Sequence, residues 1–276
     1  MHPYLARSAI ARNPLLGPLV RWQLHQLRQW DVASSLRVDA LLANSRFTAR
    51  RIQRCWRRRA QVLHPPVAVD RFRWDRPRDD VYVSLCRLVP NKRVDLVVQA
   101  FTLTGLPLVV IGDGPERRRL EAMAGPRIRF LGRCSDAEAK VWLERCRAYV
   151  YAGLEDFGIA PVEAMAAGAP VIGYGAGGLC DSVRCLGAAG DHPTGLLFPE
   201  QSAACLAAAL ERFESAALWR RLPAEAQREW AEEFAPHHFR RRMEELLETL
   251  WQRHRQRLHR QSLPLMQPLA SPVPLG

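Results

Sequence analysis

The sequence predicts an α/β fold whose main part is a doubly wound parallel sheet over residues 80–215. Short, continuous apolar runs recur in this region, and stretches with helical periodicity lie between them. Turn residues such as glycine, asparagine and proline follow several of the apolar runs. Continuous apolar strands that alternate with helices are typical of a parallel sheet covered by helices on both faces.

The elements of this domain follow one another in a regular order. The predicted strands are Val81–Cys86, Leu108–Ile111, Ile128–Leu131, Tyr149–Tyr151 and Val171–Tyr174. The predicted helices are a stretch with Val94, Val97, Val98 and Phe101 on one face, a charged helix through Met123, a helix that Ser135 caps, and Pro161–Ala167. We place the boundaries of the whole domain at residues 79 and 235.

Residues 1–78 predict about two further βα units. Their elements are a helix with an apolar stripe from Leu16 to Trp30, a strand at Val38–Ala43, a basic helix that Ser45 caps and that runs through Arg58, and a strand at Gln61–Leu63. The stripe is compatible with a helix that faces the core and with a helix on a membrane surface, of which we favour the first.

The C-terminal part of the chain predicts one long helix. It runs from Pro236 to about Leu258, which defines a segment of residues 236–260. Residues 261–276 are rich in proline and predict a disordered tail.

Composition excludes several classes of protein. With 48% hydrophobic and 25% charged residues, the 276-residue chain is too apolar for a disordered protein. No apolar run reaches the roughly 18–20 residues of a membrane-spanning helix. Because Arg12, Pro14 and Pro18 interrupt the N-terminus, we expect no cleaved signal peptide and a cytoplasmic location. The seven cysteines and eight histidines lack metal-ligand spacing, so we expect no metal site.

The net charge of +12 comes entirely from residues 1–78, which carry 16 arginines and 4 aspartates. The arginines are densest between Arg50 and Arg59. Such a cluster attracts the phosphates of nucleic acid, of anionic lipid or of a phosphorylated substrate. No helix-turn-helix, RRM or OB pattern accompanies the charge, so we expect no nucleic-acid partner. An arginine-rich nucleic-acid-binding protein is the less favoured alternative.

The segment Glu155–Glu163 carries two glutamates between a predicted strand and a predicted helix. With Pro161 in the first helical turn, residues 157–160 offer free backbone N–H groups at a helix N-terminus, which attracts anions. Open α/β sheets bind ligands at this carboxyl edge, so we expect both glutamates to face one crevice. The structural alternative is that Glu163 merely suits a helix start and Glu155 is a solvated loop charge.

Arg87 and Lys92 follow the first strand of the same domain. Right-handed crossovers bring their loop to the same edge of the sheet as the two glutamates. A guanidinium fork and an ammonium group at this place would bind a diphosphate. An ion pair that fastens a turn is the alternative.

Together these residues resemble the retaining GT-B glycosyltransferases of family 4. The E-x7-E motif of that family matches Glu155 and Glu163, and its R-L-x-P-x-K loop matches Arg87–Lys92. The resemblance covers roughly residues 30–250. Its other segments are Ala43-Asn44-Ser45, Pro65-Pro66-Val67, Gly112-Asp113-Gly114-Pro115, Phe130-Leu131-Gly132 and Glu163–Gly168. Residues 155–159 are most similar to bacterial mannosyltransferases of O-antigen and exopolysaccharide assembly.

The resemblance implies a role for each site residue. Arg87 and Lys92 would neutralise the departing nucleoside diphosphate, and Glu155 would contact the donor sugar as the third catalytic residue. The other donor-binding residues would be Glu163 at the ribose, the backbone amides of Phe157, Gly158 and Ile159 at a phosphate or sugar hydroxyl, Gly112 and Asp113, and Gly132, Arg133 and Cys134 at the base pocket. No metal is implied, because the sequence has no D-x-D and the cations can stabilise the leaving group.

The implied function is transfer of a hexose, with GDP-mannose one candidate donor, to a saccharide or lipid-linked acceptor with retention. The basic segment adds an anionic membrane surface as a partner, and with it peripheral attachment at the inner face of the plasma membrane. Family members close two Rossmann-like domains around their substrates, whereas residues 1–78 match only the end of the first. We therefore expect a gene fragment, a first domain supplied in trans, or a non-catalytic nucleotide-sugar-binding partner, and favour the first.

Overall fold

The computed structural model describes residues 16–187 and 192–262. The described residues up to Phe239 form one compact unit, and those from Arg240 form a second. The proline-rich tail beyond Ser262 and the first fifteen residues, which bear on the signal-peptide expectation, lie outside the described part. The predicted boundary between residues 78 and 79 lies inside the first unit and stays a prediction.

The helices and strands alternate through most of the chain. The helices are α1 (Leu16–Ser35), α2 (Arg46–Trp56), α3 (Val94–Thr104), α4 (Arg117–Ala122), α5 (Asp136–Arg145), α6 (Ile159–Ala166), α7 (Leu179–Ser182), α8 (Ala203–Ser215), α9 (Ala224–Glu232) and α10 (Pro236–Ser262). The strands are β1 (Leu42–Ala43), β2 (Gln61–Val62), β3 (Tyr82–Leu85), β4 (Leu108–Ile111), β5 (Ile128–Gly132), β6 (Ala148–Tyr151), β7 (Val171–Tyr174) and β8 (Gly195–Phe198).

The main sheet confirms the predicted doubly wound fold. Its strand order is β5-β4-β3-β6-β7-β8, and all neighbours are parallel. The order reverses between β3 and β6, which makes the carboxyl ends of these two strands the expected ligand site. On β4, Leu108 and Val110 belong to one buried cluster and Val109 and Ile111 to the other. Burial on both faces is why the strands are continuous apolar runs.

The N-terminal segment, by which we mean the described residues 16–78, contains a small second sheet. Strands β1 and β2 pair in parallel over two residues each. The Ser45 side chain caps α2 by accepting a hydrogen bond from the Thr48 N–H at 3.0 Å, as predicted. The strand predicted at Val38–Ala43 is wrong in its extent, because β2 offers pairing partners to Leu42 and Ala43 alone.

Helix α1 does not bury its apolar stripe. Leu19 is 56% exposed and Trp30 is 68% exposed. The core-facing interpretation is therefore wrong for the described residues, because a sheet of two two-residue strands offers too little surface to cover the helix. The contacts of α1 with α2 lie near its C-terminal end, where Asp31 accepts a hydrogen bond from the Trp56 indole at 2.8 Å.

Other elements also differ from the prediction, among them the basic helix α2, which ends at Trp56 instead of Arg58 because Arg57 adopts a left-handed φ of 56°. Strand β8 was not predicted. Helix α6 begins at Ile159 instead of Pro161, because Gly158 adopts a left-handed φ of 95° and turns the chain into the helix. Pro161 lies in the first turn, where its missing N–H costs no hydrogen bond. Helix α10 continues to Ser262, so the first two residues of the predicted tail are helical.

No helix in the described part of the chain has both the length and the apolar character that a membrane crossing requires.

Candidate functional site

Two adjoining cavities lie at the carboxyl ends of β3 and β6, where the strand order reverses. Their volumes are about 610 Å³ and 480 Å³, within the range of small-molecule sites. Leu85, Cys86 and Arg87 line both cavities, so the end of β3 forms a shared wall. We call them the first and the second cavity. A ligand with two parts could occupy both at once.

Most of the predicted site residues line these cavities. The first cavity is lined by Arg87, Gly112, Asp113, Arg133 and Cys134, together with residues that were not predicted. The second is lined by Arg87, Lys92, Glu155, Phe157, Gly158 and Ile159. Gly132 and Glu163 are not among the described residues that line either one. Of the two glutamates expected to face one crevice, Glu155 lines the second cavity, and Glu163 is not among the described residues that line either cavity.

The two predicted cations of the site differ in their partners. The Lys92 ammonium donates a hydrogen bond to the Glu155 carboxylate, and both side chains are about three-quarters buried. Arg87 is exposed, and no hydrogen-bond or ion-pair partner of its guanidinium is found among the described residues. Arg87 therefore brings an uncompensated positive charge to the wall that the two cavities share.

Tyr151 is a site residue that the sequence reasoning missed. Its hydroxyl donates a hydrogen bond to the same Glu155 oxygen that Lys92 contacts. Burial and this hydrogen bond raise the pKa of Tyr151 well above its ordinary value, so the hydroxyl stays protonated and keeps donating. The only sequence signal was its position at the end of a strand, four residues before Glu155.

Glu163 lies on α6 and is not among the described residues that line the two cavities. Burial raises the pKa of its carboxyl above the ordinary value, although the positive charge of Arg71 opposes the shift. The Arg71 guanidinium also lies 3.3 Å from a carboxylate oxygen of Asp136, which lines the first cavity. Glu163 is thus electrostatically coupled to the rim of that cavity without being part of its wall.

Gly112 shows why the predicted glycine turn needs glycine. Its φ is 132°, and a Cβ atom there would lie 1.9 Å from the carbonyl oxygen of Cys86. The Gly112 N–H donates to the carbonyl of Gly132 at 2.8 Å. The chain after β4 therefore passes against the end of β3 at backbone contact distance, which brings Asp113 beside Arg87 in the first cavity.

The N-terminal segment forms part of the second cavity. Asn44 directly follows β1 and Pro65 shortly follows β2, and both residues line the second cavity. Neither residue was assigned a role from the sequence, although both belong to segments that carry the family resemblance. Residues before the predicted boundary at 78 therefore contribute to the site.

The thiol of Cys86 lies between the two cavities. Burial raises its pKa to about 12, since the low-dielectric surroundings disfavour the thiolate. Cys86 is therefore a neutral wall residue near pH 7 and no nucleophile.

Comparison with known proteins agrees with this arrangement. The sequence profile of the family described as "Glycosyl transferases group 1" matches residues 68–233, which is more than half of the chain and contains Arg87, Lys92, Glu155 and Glu163. Among solved structures, sucrose-phosphate synthase from Thermosynechococcus elongatus superposes with a TM-score of 0.70 and 22% identity, covering 90% of this chain and 65% of that chain. At this identity the likeness shows the GT-B fold.

Two curated relatives are mannosyltransferases. The phosphatidyl-myo-inositol mannosyltransferase of Propionibacterium freudenreichii is 39% identical over 102 residues, 36% of this chain and 23% of the relative. The GDP-mannose-dependent alpha-mannosyltransferase of Mycobacterium tuberculosis is 33% identical over 130 residues, 47% of this chain and 32% of the relative. These matches cover about a quarter to a third of the length of the two relatives.

Proposed function

The chain belongs to the family of group 1 glycosyl transferases, and from this premise we propose that it transfers a hexose from a nucleotide sugar to a saccharide or lipid-linked acceptor, with retention of configuration. The observation that carries the proposal is the unpaired guanidinium of Arg87 in the wall shared by two adjoining cavities at the switch point of the sheet. Mannose from GDP-mannose is the first candidate, because the two relatives are mannosyltransferases.

Arg87 and Lys92 would bind the diphosphate where the two cavities meet. As the bond between the sugar and the diphosphate breaks, negative charge grows on the leaving phosphate. Cations placed beside the leaving phosphate stabilise that charge more than they stabilise the uncleaved donor. Two cations at this position are consistent with transfer that needs no divalent metal.

The two cavities would divide the donor between them. The first would hold the nucleoside, with Arg133 and Cys134 beside the base and Glu163 coupled to the ribose region through Arg71 and Asp136. The second would hold the hexose, with Glu155 accepting hydrogen bonds from its hydroxyls. The first backbone N–H groups of α6 have no carbonyl partner within the helix and would donate to the same ligand.

The N-terminal segment would attach the enzyme to an anionic membrane surface. Leu19, Trp22 and Trp30 are exposed on α1, and α1 packs against the arginine-rich helix α2. Exposed apolar side chains next to arginines fit the boundary between lipid headgroups and acyl chains. A lipid-linked acceptor in such a membrane would be presented to the second cavity by this attachment.

Calorimetry on the full chain tests the proposal. GDP, UDP, GDP-mannose and UDP-glucose are titrated in the presence of EDTA, with Arg87→Ala as the test variant. Arg118→Ala removes an equal charge from α4, outside both cavities, and is the matched control. We expect one nucleotide pair to bind, EDTA to have no effect, and only Arg87→Ala to weaken binding. Failure of all four ligands to bind would overturn the proposal.

Transfer itself needs a second measurement. The binding ligand is supplied with a lipid-linked saccharide, and the configuration of the new glycosidic bond is read by NMR. Retention supports the proposal, and inversion contradicts it. Binding without any transfer would instead favour a non-catalytic nucleotide-sugar-binding protein.

A further inference from the structure

The N-terminal segment is fastened to the loop that carries Glu155. We call residues 155–158, between β6 and α6, the donor loop. It has no strand or helix of its own, so contacts with other parts of the chain determine its conformation. Three side chains of the N-terminal segment, Arg46, Arg51 and His64, reach the donor loop or the helix α7 that packs behind it.

Arg51 binds the donor loop directly. Its guanidinium donates two hydrogen bonds to the two carboxylate oxygens of Asp156, at 2.7 and 2.8 Å. This paired arrangement fixes the direction of the carboxylate as well as its distance. Asp156 is the neighbour of Glu155 in the sequence, so its position constrains the backbone that carries the Glu155 carboxylate.

Asp181 on α7 makes a second, buried attachment. Its side chain is 1% exposed, and it accepts hydrogen bonds from the backbone N–H and the Nε of Arg46, at 2.7 and 3.0 Å. The His64 Nε2 lies 3.1 Å from Oδ2 of Asp181, the same oxygen that accepts from the Arg46 backbone N–H. Helix α7 is in turn tied to the donor loop, because the N–H of Gly178 donates to the carbonyl of Glu155 at 2.8 Å.

His64 also contacts the donor loop through its ring. The imidazole stacks on the ring of Phe157 with the centroids 5.4 Å apart and the planes at 26°. Phe234 packs against both rings, with its centroid 5.6 Å from that of His64 and 5.5 Å from that of Phe157. Phe157 lines the second cavity, so His64 holds a wall residue of that cavity from behind.

From these contacts we infer that Arg51 and His64 are positioning residues for the hexose subsite, which they hold through Asp156 and Phe157. The inference rests on the proposed function, since it takes the second cavity as the place of the hexose. Through these contacts the N-terminal segment influences which donor binds, in addition to its proposed part in presenting the acceptor. Neither Arg51 nor His64 is among the described residues that line the two cavities, so the group through which they act is Glu155.

The position of the attachment makes a specific difference between ligands. The diphosphate contacts proposed for Arg87 and Lys92 come from the loop after β3, which these side chains do not contact. Loss of these contacts should therefore weaken the binding of a nucleotide sugar and should not weaken that of a nucleoside diphosphate, for which a displaced Glu155 would only free Lys92. A merely stabilising salt bridge would lower the melting temperature or weaken both ligands by the same factor.

The test compares two ligands on one set of variants of the full chain. GDP-mannose and GDP, or UDP-glucose and UDP if the wild type prefers uracil, are titrated against Arg51→Ala, Arg51→Lys and the exchanged pair Arg51→Asp with Asp156→Arg. Arg54→Ala removes the same charge from the same helix and is the control. Both members of the exchanged pair are about half exposed, so the exchange should fold.

We expect Arg51→Ala to raise the ratio of the nucleotide-sugar Kd to the nucleoside-diphosphate Kd by about two- to fivefold. The Arg51→Lys variant should give a ratio between those of the wild type and Arg51→Ala, and the exchanged pair should return the ratio to the wild-type value. His64→Ala should also raise this ratio of dissociation constants. His64→Phe keeps the stacking on Phe157 and should raise the ratio less. An unchanged ratio in folded Arg51→Ala overturns the inference while leaving the proposed function intact. A wild type that binds none of the four ligands overturns both.

Discussion

Lys92 and Glu155 are 63 positions apart in the chain, yet their side chains form an ion pair in the wall of the second cavity. Tyr151 donates to the same carboxylate oxygen, so Glu155 holds two donors before any ligand is present. The charge proposed for diphosphate binding at Lys92 is therefore already compensated. A bound diphosphate competes with Glu155 for that ammonium, whereas Arg87 is available without competition.

Replacing Glu155 with glutamine should separate the two classes of ligand. The amide cannot neutralise Lys92, so the nucleoside diphosphate should bind more tightly, by about two- to fivefold. The nucleotide sugar should bind more weakly, because its proposed carboxylate contact is lost. Calorimetry measures both, with Glu211→Gln on α8 as the control for net charge. Equal effects of Glu155→Gln on the two ligands would contradict the separate roles.

Glu163→Ala should weaken the nucleoside diphosphate and the nucleotide sugar alike, since ribose is common to both. Glu163 is not among the described residues that line either cavity, so its proposed action would run through the Arg71 and Asp136 side chains or a shift of α6. Arg71→Ala should then produce a similar loss. A loss confined to the nucleotide sugar would assign Glu163 to the hexose instead.

The raised pKa of Glu163 also has a consequence for stability. The folded protein holds the proton more tightly than the unfolded chain, so the ionised form at neutral pH costs stability. Glu163→Gln should therefore melt at a higher temperature than the wild type at pH 7. The difference should shrink as the pH falls through the raised pKa toward 4.5. Thermal unfolding at several pH values measures this, and a lower melting temperature for Glu163→Gln at pH 7 would contradict it.

Asp181→Asn should have the opposite effect on stability and destabilise the protein at neutral pH. Burial acts to raise the pKa of Asp181, but the hydrogen bonds from Arg46 and His64 outweigh it and lower the pKa below 3.8. The stabilisation is therefore present above pH 3.8 and lost as the pH falls through the lowered value. We expect a cost of about 1–3 kcal/mol at pH 7 in urea unfolding, as for a hydrogen-bonded charge. Asp39→Asn, at an exposed position, serves as the control. Equal stability of the two variants would contradict a stabilising role for the contacts of Asp181 with Arg46 and His64.

Two glycines with left-handed φ should respond differently to alanine. Gly112→Ala brings a Cβ to 1.9 Å from the Cys86 carbonyl oxygen, whereas Gly105→Ala meets nothing within 4 Å. Gly105→Ala should cost about 1 kcal/mol, from the left-handed conformation alone. Gly112→Ala should cost about 3 kcal/mol or more and should also weaken nucleotide binding. Urea unfolding followed by tryptophan fluorescence compares the free energies of unfolding of the two variants. Similar losses would show that the end of β3 can move away from the added methyl group.

Sedimentation with vesicles tests the membrane proposal. The chain should bind phosphatidylglycerol-containing vesicles more than phosphatidylcholine vesicles, and salt should weaken binding. Each exposed arginine of α2 should contribute about 1 kcal/mol, so Arg54→Ala should reduce binding while Arg118→Ala should not. Trp22→Ser and Trp30→Ser should reduce it through lost apolar contact. Equal recovery with both vesicles would identify the arginines as a solvated surface.

The strands of the main sheet other than β8, the Ser45 and Ser135 caps and most of the residues in the cavity walls could be predicted from the sequence alone. Strands buried on both faces must be apolar throughout, so β4 and β7 could be predicted residue for residue. Ser45 and Ser135 indicate where helices begin, because the hydrogen bond of a cap joins residues only three positions apart in the sequence. Arg87 and Glu155 could be brought together because the carboxyl ends of parallel strands share one edge. Each of these inferences depends on neighbours in the chain or on the topology of a parallel sheet.

Only the tertiary structure decided which charges meet and which apolar side chains are covered. Asp181 lies 135 positions from Arg46, and Asp156 lies 105 positions from Arg51. Nothing in the residues around an aspartate specifies a partner so distant, because pairing depends on the packing of whole elements. The periodicity of α1 likewise defines an apolar face without specifying a surface to cover it. Local sequence determines what a side chain can do, and packing determines what it contacts.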